Sequence, residues 1–190
     1  MLLLIDFIYW MSFAVYQTTF ALFGAHRFGF DATHTGYLLS AFGALGVIVQ
    51  GGLVGPIARS IGNRPTLVIG LLCTGAGWVG SALTYSIPVF VAMLVPAAFG
   101  IGLCNATLIA LVSNAASRRE QGRVQGAAGA LESLGRTLGP VWGNAVLQRI
   151  GEGAAYGAAA GLLVIAAAMA GRYKPGIEKP VNGRIGEPAN

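Results

Sequence analysis

Residues Gln121–Leu147 read QGRVQGAAGALESLGRTLGPVWGNAVL. Because roughly 20 residues carry a helix across a bilayer, this stretch is long enough to span one. It nevertheless holds Glu132 and Arg136 near its middle. Residues four apart share a helix face, and Glu ahead of Arg is the favourable order for an ion pair. At about 100° per residue, Gln125, Gly129, Gly139 and Gly143 lie on that same side. Val124, Leu131, Leu134, Leu138 and Val141 lie opposite. A charge at the bilayer centre costs at least about 2.5–3.5 kcal/mol, so the polar face is expected against protein or water rather than lipid.

The rest of the chain follows the same logic. Of its 190 residues 55% are hydrophobic and only 10% charged, with 29 glycines. A soluble domain carries about 25% charged residues. Apolar runs recur at close to bilayer length, which predicts a polytopic, all-α membrane protein. The net charge of +5 sits in short loops and makes no case for nucleic acid. Cys73 and Cys104 fall within apolar runs and read as small buried hydrophobes. Met1 leads straight into LLLIDFIYW, so no secretory signal is expected ahead of the first span.

Six spans are predicted, over 3–24, 36–57, 66–84, 88–112, 124–147 and 154–171. Short connections make successive helices antiparallel neighbours. Arg59, Arg64, Arg118, Arg119, Arg123, Arg172, Lys174, Lys179 and Arg184 then share one side, and Arg27 and Arg149 the other. The positive-inside rule places both termini in the cytoplasm of a cell in whose inner or plasma membrane the chain sits. Residues 1–173 form the expected membrane unit. Residues 174–190, with three prolines and mixed charge, read as a disordered tail.

Polar side chains are unevenly divided among these spans. In the first, Asp6, Trp10, Phe13, Gln17 and Phe20 form a stripe. It reads either as an aromatic packing seam with Asp6 at the membrane edge or as a cavity wall. The second aligns Ser40, Gly43, Gly46 and Gln50. Glycines at that spacing let helices approach closely, whereas the Gln50 amide needs a partner or water. Pro96 predicts a bend in the fourth span, which also carries Asn105. Spans three and six are nearly free of polar residues and are expected to support spans one, two, four and five from outside.

The connection after the second span, Gly55-PIARSI-Gly62-Asn-Arg64, resembles a loop signature of the major facilitator superfamily. Gly55, Ala58, Gly62 and Arg64 match it, while Arg59 and Ser60 occupy its Asp-Arg positions. That degenerate form is the one expected of the second half of such transporters. RFGFDATHTGYLLSAFGALGVIVQGGLVGPIARSIGNR and SNAASRREQGRVQGAAGALESLGRTLGPVWG are similar to the C-terminal half of tetracycline-type drug/proton antiporters. Gly139-Pro140 with Gly143 resembles the glycine-proline element of that group.

The resemblance implies one six-helix half of a twelve-helix transporter, with spans one, two, four and five lining the pathway. It implies proton-coupled efflux of a small amphipathic drug or metabolite. Trp10, Gln17, Gln50, Asn105, Gln125, Glu132 and Arg136 are the candidate pathway residues. Gly55, Arg59, Gly62 and Arg64 are the candidate gating loop. Pro96, Gly139, Pro140 and Gly143 are candidates for packing and kinking. The implied partners are the bilayer, the substrate, protons and a further six-helix half, joined covalently or by pairing. A truncated or half-size module that acts as an interaction partner is the alternative. No enzyme is expected, for HExxH, P-loop and GxSxG motifs are absent from the sequence. No metal or other cofactor is expected either, and His26 and His34 read as solvated loop residues.

Overall fold

The structure, a computed structural model, describes residues 1–117 and 119–173, the side chain of Glu152 excepted. The expected tail, and Arg118, lie outside the described residues. Helix α1 (Leu2–Phe28) stops at Gly29, whose φ of 68° is left-handed. Backbone N–H groups of Gly29 and Phe30 return to the carbonyls of Ala25 and Gly24, which satisfies the helix end. Asp31 then caps α2 (Ala32–Ile48) by accepting from the His34 N–H at 2.8 Å. That bond and the neighbouring imidazole hold the Asp31 carboxyl below its ordinary value.

Helix α2 passes through a π-helical turn, Val49–Leu53, into α3 (Val54–Ile61), making one continuous rod. A corner at Gly62 opens α4 (Asn63–Leu83). Gly62 has φ 88° and ψ 160°, a region essentially reserved for glycine. Helices α5 (Ile87–Asn114) and α6 (Gln121–Ile150) run on through Pro96 and Pro140 without a break. Gly151 turns the chain into α7 (Glu152–Arg172). With α2, the π turn and α3 taken as one, the described residues form six rods, and no strand occurs among them.

Four rods are individually long and apolar enough to cross a membrane: Ala32–Ile61, α4, α5 and Gly153–Arg172 of α7. The other two, α1 and α6, are the ones diluted by Asp6 and Gln17 and by Glu132 and Arg136. Their polar side chains need protein or water around them, so packing must supply what composition does not.

Helix α1 is packed more deeply than α6. Twelve α1 residues are buried, whereas α6 buries Ala128, Gly135, Gly139 and Gly143. Tyr16 stacks on Trp78 of α4 with ring centroids 4.9 Å apart, and Phe23 on Tyr156 of α7 at 4.6 Å. Each such aromatic pair contributes about 0.5–1.5 kcal/mol beyond the area it covers. Lipid offers helices no hydrophobic drive to associate, so close backbone approach must supply the rest. A Cβ added at Gly139 would meet the Met11 carbonyl at 2.5 Å and the Ala14 Cβ at 2.9 Å. At Gly77 it would meet the Ala97 backbone at 2.7 Å. The α2 rod, by contrast, leaves Tyr37, Val47 and Ile48 exposed.

Candidate functional site

Two adjoining cavities open between the rods. One, of about 410 Å³, is bordered by Asp6 and Trp10 of α1, Gln50 of the π turn, Asn105 of α5, and Gln125 and Glu132 of α6. The second, of about 380 Å³, is bordered by Phe13, Tyr16 and Gln17 of α1, Phe42 of α2, and again Gln50 and Asn105. Both volumes lie within the range of small-molecule sites. Every described residue lining either cavity comes from α1, the α2–π rod, α5 or α6. Helices α4 and α7 line neither and pack behind them.

Charge in the first cavity is arranged by α6. Arg136 Nη2 lies 3.0 Å from Glu132 Oε1, the pair that the i, i+4 spacing predicts. The guanidinium also sits over the Trp10 ring, 4.1 Å from its centroid. Cation–π contact of this kind is favourable by about 0.5–2 kcal/mol according to exposure. Both side chains are partly exposed, so the pair is not sealed in the core. The packed glycines on the same side carry α6 against α1. Gly129, further up that face, meets nothing within 4 Å and borders the first cavity.

Asn105 joins the two cavities. Tyr9 donates its hydroxyl to Asn105 Oδ1 at 2.8 Å. That contact fixes the carboxamide and leaves its NH₂ group to donate elsewhere. Gln50 borders both cavities from the π turn, a geometry frequent at functional sites.

The candidate pathway residues therefore converge, with one exception. Trp10, Gln50, Asn105, Gln125 and Glu132 border the first cavity, and Gln17, Gln50 and Asn105 the second. Arg136 lines neither directly and acts on the first through Glu132 and Trp10. The α1 stripe divides: Asp6 and Trp10 face one cavity, Phe13 and Gln17 the other, and Phe20 lies in the core.

Within the candidate gating loop, Arg64 reaches across to the end of α7. Its Nε donates to the Ala170 carbonyl at 3.0 Å and its Nη2 to that of Gly171, which caps the C-terminus of α7. Arg59 is exposed and folds back beside Gly55.

Asp6 is 6% exposed and borders the first cavity, in keeping with the cavity-wall reading of the α1 stripe. Two further residues escaped the sequence reading. Tyr9 orients Asn105, and Tyr16 borders the second cavity with a hydroxyl that has no hydrogen-bond partner among the described residues. The signal was present: Asp6, Tyr9, Phe13, Tyr16, Phe20 and Phe23 recur at alternating steps of three and four.

The comparisons with known proteins decide the family. The model of the Major Facilitator Superfamily matches residues 2–189. The chain belongs to the Major Facilitator Superfamily. It is a membrane protein of a transporter family, not of an enzyme family. Within that superfamily it is 36% identical over 121 residues to a class G tetracycline resistance protein of Vibrio anguillarum, covering 63% of this chain and 30% of the relative. It is 31% identical over 141 residues to the class E protein of Escherichia coli, covering 74% and 34%. Solute carrier family 22 member 18 of Mus musculus matches at 25% over 137 residues, covering 72% and 34%. The chain thus spans about a third of the length of these relatives. In three dimensions it is similar to the human organic anion transporter MFSD10 (TETRAN), with a TM-score of 0.82 over 89% of this chain and 39% of that one at 22% identity. That likeness is one of fold.

Proposed function

We propose that this chain forms one six-helix wall of a secondary active transport pathway. Its substrate is a small amphipathic molecule, moved outward in exchange for protons. Residues 1–173 make that wall and act with a further six-helix half, both termini facing the cytoplasm of a cell bounded by the inner or plasma membrane that holds the chain. The observation that carries the reading is the partition of the rods. Among the described residues, two cavities with polar and aromatic linings are built from α1, the α2–π rod, α5 and α6, while α4 and α7 stand behind.

Glu132 is the proposed coupling group. It borders a cavity, is partly exposed, and has Arg136 on its own helix one turn away. Movement of that guanidinium toward or away from the carboxylate would tie proton exchange to a change of conformation. Gly55, Arg59, Gly62 and Arg64 are proposed to bias that change from the cytoplasmic end, with Pro96 and Pro140 as points of flexure.

The test is drug efflux into vesicles by the assembled transporter under an imposed pH gradient. Glu132→Gln is expected to abolish gradient-driven transport while substrate binding remains measurable. Normal transport by that variant would reduce the Glu132–Arg136 pair to scaffolding. A wild-type assembly that binds substrate but never moves it would favour a non-transporting module.

A further inference from the structure

The π turn Val49–Leu53 interrupts the rod that runs from α2 into α3, and Gln50 within it borders both cavities. Two buried valines flank it, Val49 and Val54, and both join one cluster with Leu103 of α5. In a regular α-helix, residues five apart point about 140° away from one another and do not share a neighbour. Here the Val54 N–H donates to the Val49 carbonyl. That bond from i+5 to i sets Val49 one turn above Val54 and accommodates one surplus residue. Leu53 absorbs the change at φ −103°, while Ile48 and Val54 keep φ −61° and −60°.

Little in the sequence pins the surplus residue where it lies. Gly51 and Gly52 are poor helix formers, and a Cβ at either meets nothing within 4 Å, so packing does not require them. Pro56 has no N–H to offer the Gly52 carbonyl four residues back. Higher in the rod, Gly43 and Gly46 repeat the pattern, again with nothing within 4 Å of an added Cβ. Between the two glycine pairs, Val47, Ile48 and Gln50 are exposed, and Val49 alone is buried. Its anchor is Gly102 of α5, where an added Cβ would meet Val49 Cγ1 at 2.8 Å. Turning this short segment therefore disturbs a single buried side chain.

We propose that the rod is a switch with two registers. In the second register the surplus residue has passed up to Gly43–Gly46, and both ends of the rod keep their places. The segment between the glycine pairs turns by one residue, about 100°. The residue one α-helical turn above Val54 is then Gln50. Its carboxamide leaves the cavity wall for the place of Val49 against α5, and Gly51 replaces it in the wall. Asn105, held by the Tyr9 hydroxyl, remains where the cavities adjoin. Burying the Gln50 amide disfavours this register, so the π turn at Val49–Leu53 is the one seen. The inference needs only the geometry of the rod and stands apart from the pathway reading above.

Solid-state NMR of the full chain in oriented bilayers tests it. Backbone ¹⁵N–¹H dipolar couplings trace a periodic wave along a helix, and the phase of that wave jumps at a surplus residue. The jump is expected within Val49–Leu53 in the unaltered chain and in a Gly43→Ala/Gly46→Ala variant. In Gly51→Ala/Gly52→Ala it is expected to move to Gly43–Gly46, with the waves of both rod ends unchanged. Reactivity gives a second readout, with Gln50→Cys placed in a Cys73→Ala/Cys104→Ala background. A water-soluble methanethiosulfonate should modify position 50 about tenfold or more slowly with the lower alanine pair than with the upper, since two glycine-to-alanine changes favour the α register by that much. Circular dichroism and elution volume establish folding. Pro56→Ala, which gives the Gly52 carbonyl a donor, replaces the lower pair if that variant is not folded. A jump that stays within Val49–Leu53 in every variant, with equal rates at position 50, would overturn the switch. So would loss of the jump with the α3 wave turned by about 100°, because α3 would then rotate as a whole.

Discussion

Arg136 shows how much a single side chain can be asked to do in a membrane. It lies 3.0 Å from Glu132 of its own helix and stands over the Trp10 ring, so one cation holds an intrahelical partner and links α6 to α1. The ion pair was legible in the sequence, because i, i+4 spacing on a helix leaves little freedom. The Trp10 contact was not, since it depends on how two helices turn toward one another. A double-mutant cycle between Arg136→Ala and Trp10→Ala measures the second interaction. A coupling of about 0.5–2 kcal/mol in detergent unfolding is expected for a cation–π contact in this setting. Additive effects would show that Arg136 serves Glu132 alone. The two missed residues have a common cause: Tyr9 and Tyr16 lie along a seam whose identity as cavity or core is set by neighbouring rods, which spacing along α1 does not reveal.

At the scale of elements, glycine placement explains why polar helices stay in register. The polar and small face of α6 was legible, but its division was not. Its lower part, Gly135, Gly139 and Gly143, packs on α1, and its upper part, near Gly129, borders the open cavity. Any substituent at Gly139 meets the α1 backbone, whereas Gly129 has free space around it. Gly139→Ala is therefore expected to cost about 1–3 kcal/mol by overpacking, and Gly129→Ala to be neutral or stabilising, since alanine is the better helix former. Thermal unfolding of the two variants in the same detergent checks the contrast, and equal effects would refute the division. Arg64 gives a second prediction at this scale. Its loss exposes the carbonyls of Ala170 and Gly171, so Arg64→Ala should hasten amide exchange in the last turn of α7. The loss expected from a cation at a helix C-terminus is about 0.3–1 kcal/mol. Faster exchange at the start of α4 alone would instead favour the loop role first expected of it.

For the whole molecule, side-chain contacts show which rod ends meet, and charge then gives the direction. Arg64 reaches Ala170 and Gly171, which brings the start of α4 and the end of α7 together. Arg27 reaches the carbonyls of Ala82 and Thr84, which brings the ends of α1 and α4 together. It also stands between the Phe23 and Tyr85 rings. The first end carries Arg59, Arg64 and Arg172 and the second Arg27, so the sequence-based grouping of loops agrees with contacts it could not have used. Basic residues are retained on the cytoplasmic side during insertion, and the richer end is therefore expected there. Single cysteines at Arg119 and Arg149, both exposed, test this in a background where Cys73 and Cys104 are replaced by serine or alanine. In right-side-out vesicles a membrane-impermeant maleimide should label position 149 and spare 119 until the membrane is opened. Inverted vesicles should show the opposite pattern. Labelling of position 119 from outside would reverse the orientation, place the Arg64 clamp on the external face, and leave the cytoplasmic gating role of Gly62 and Arg64 without a basis.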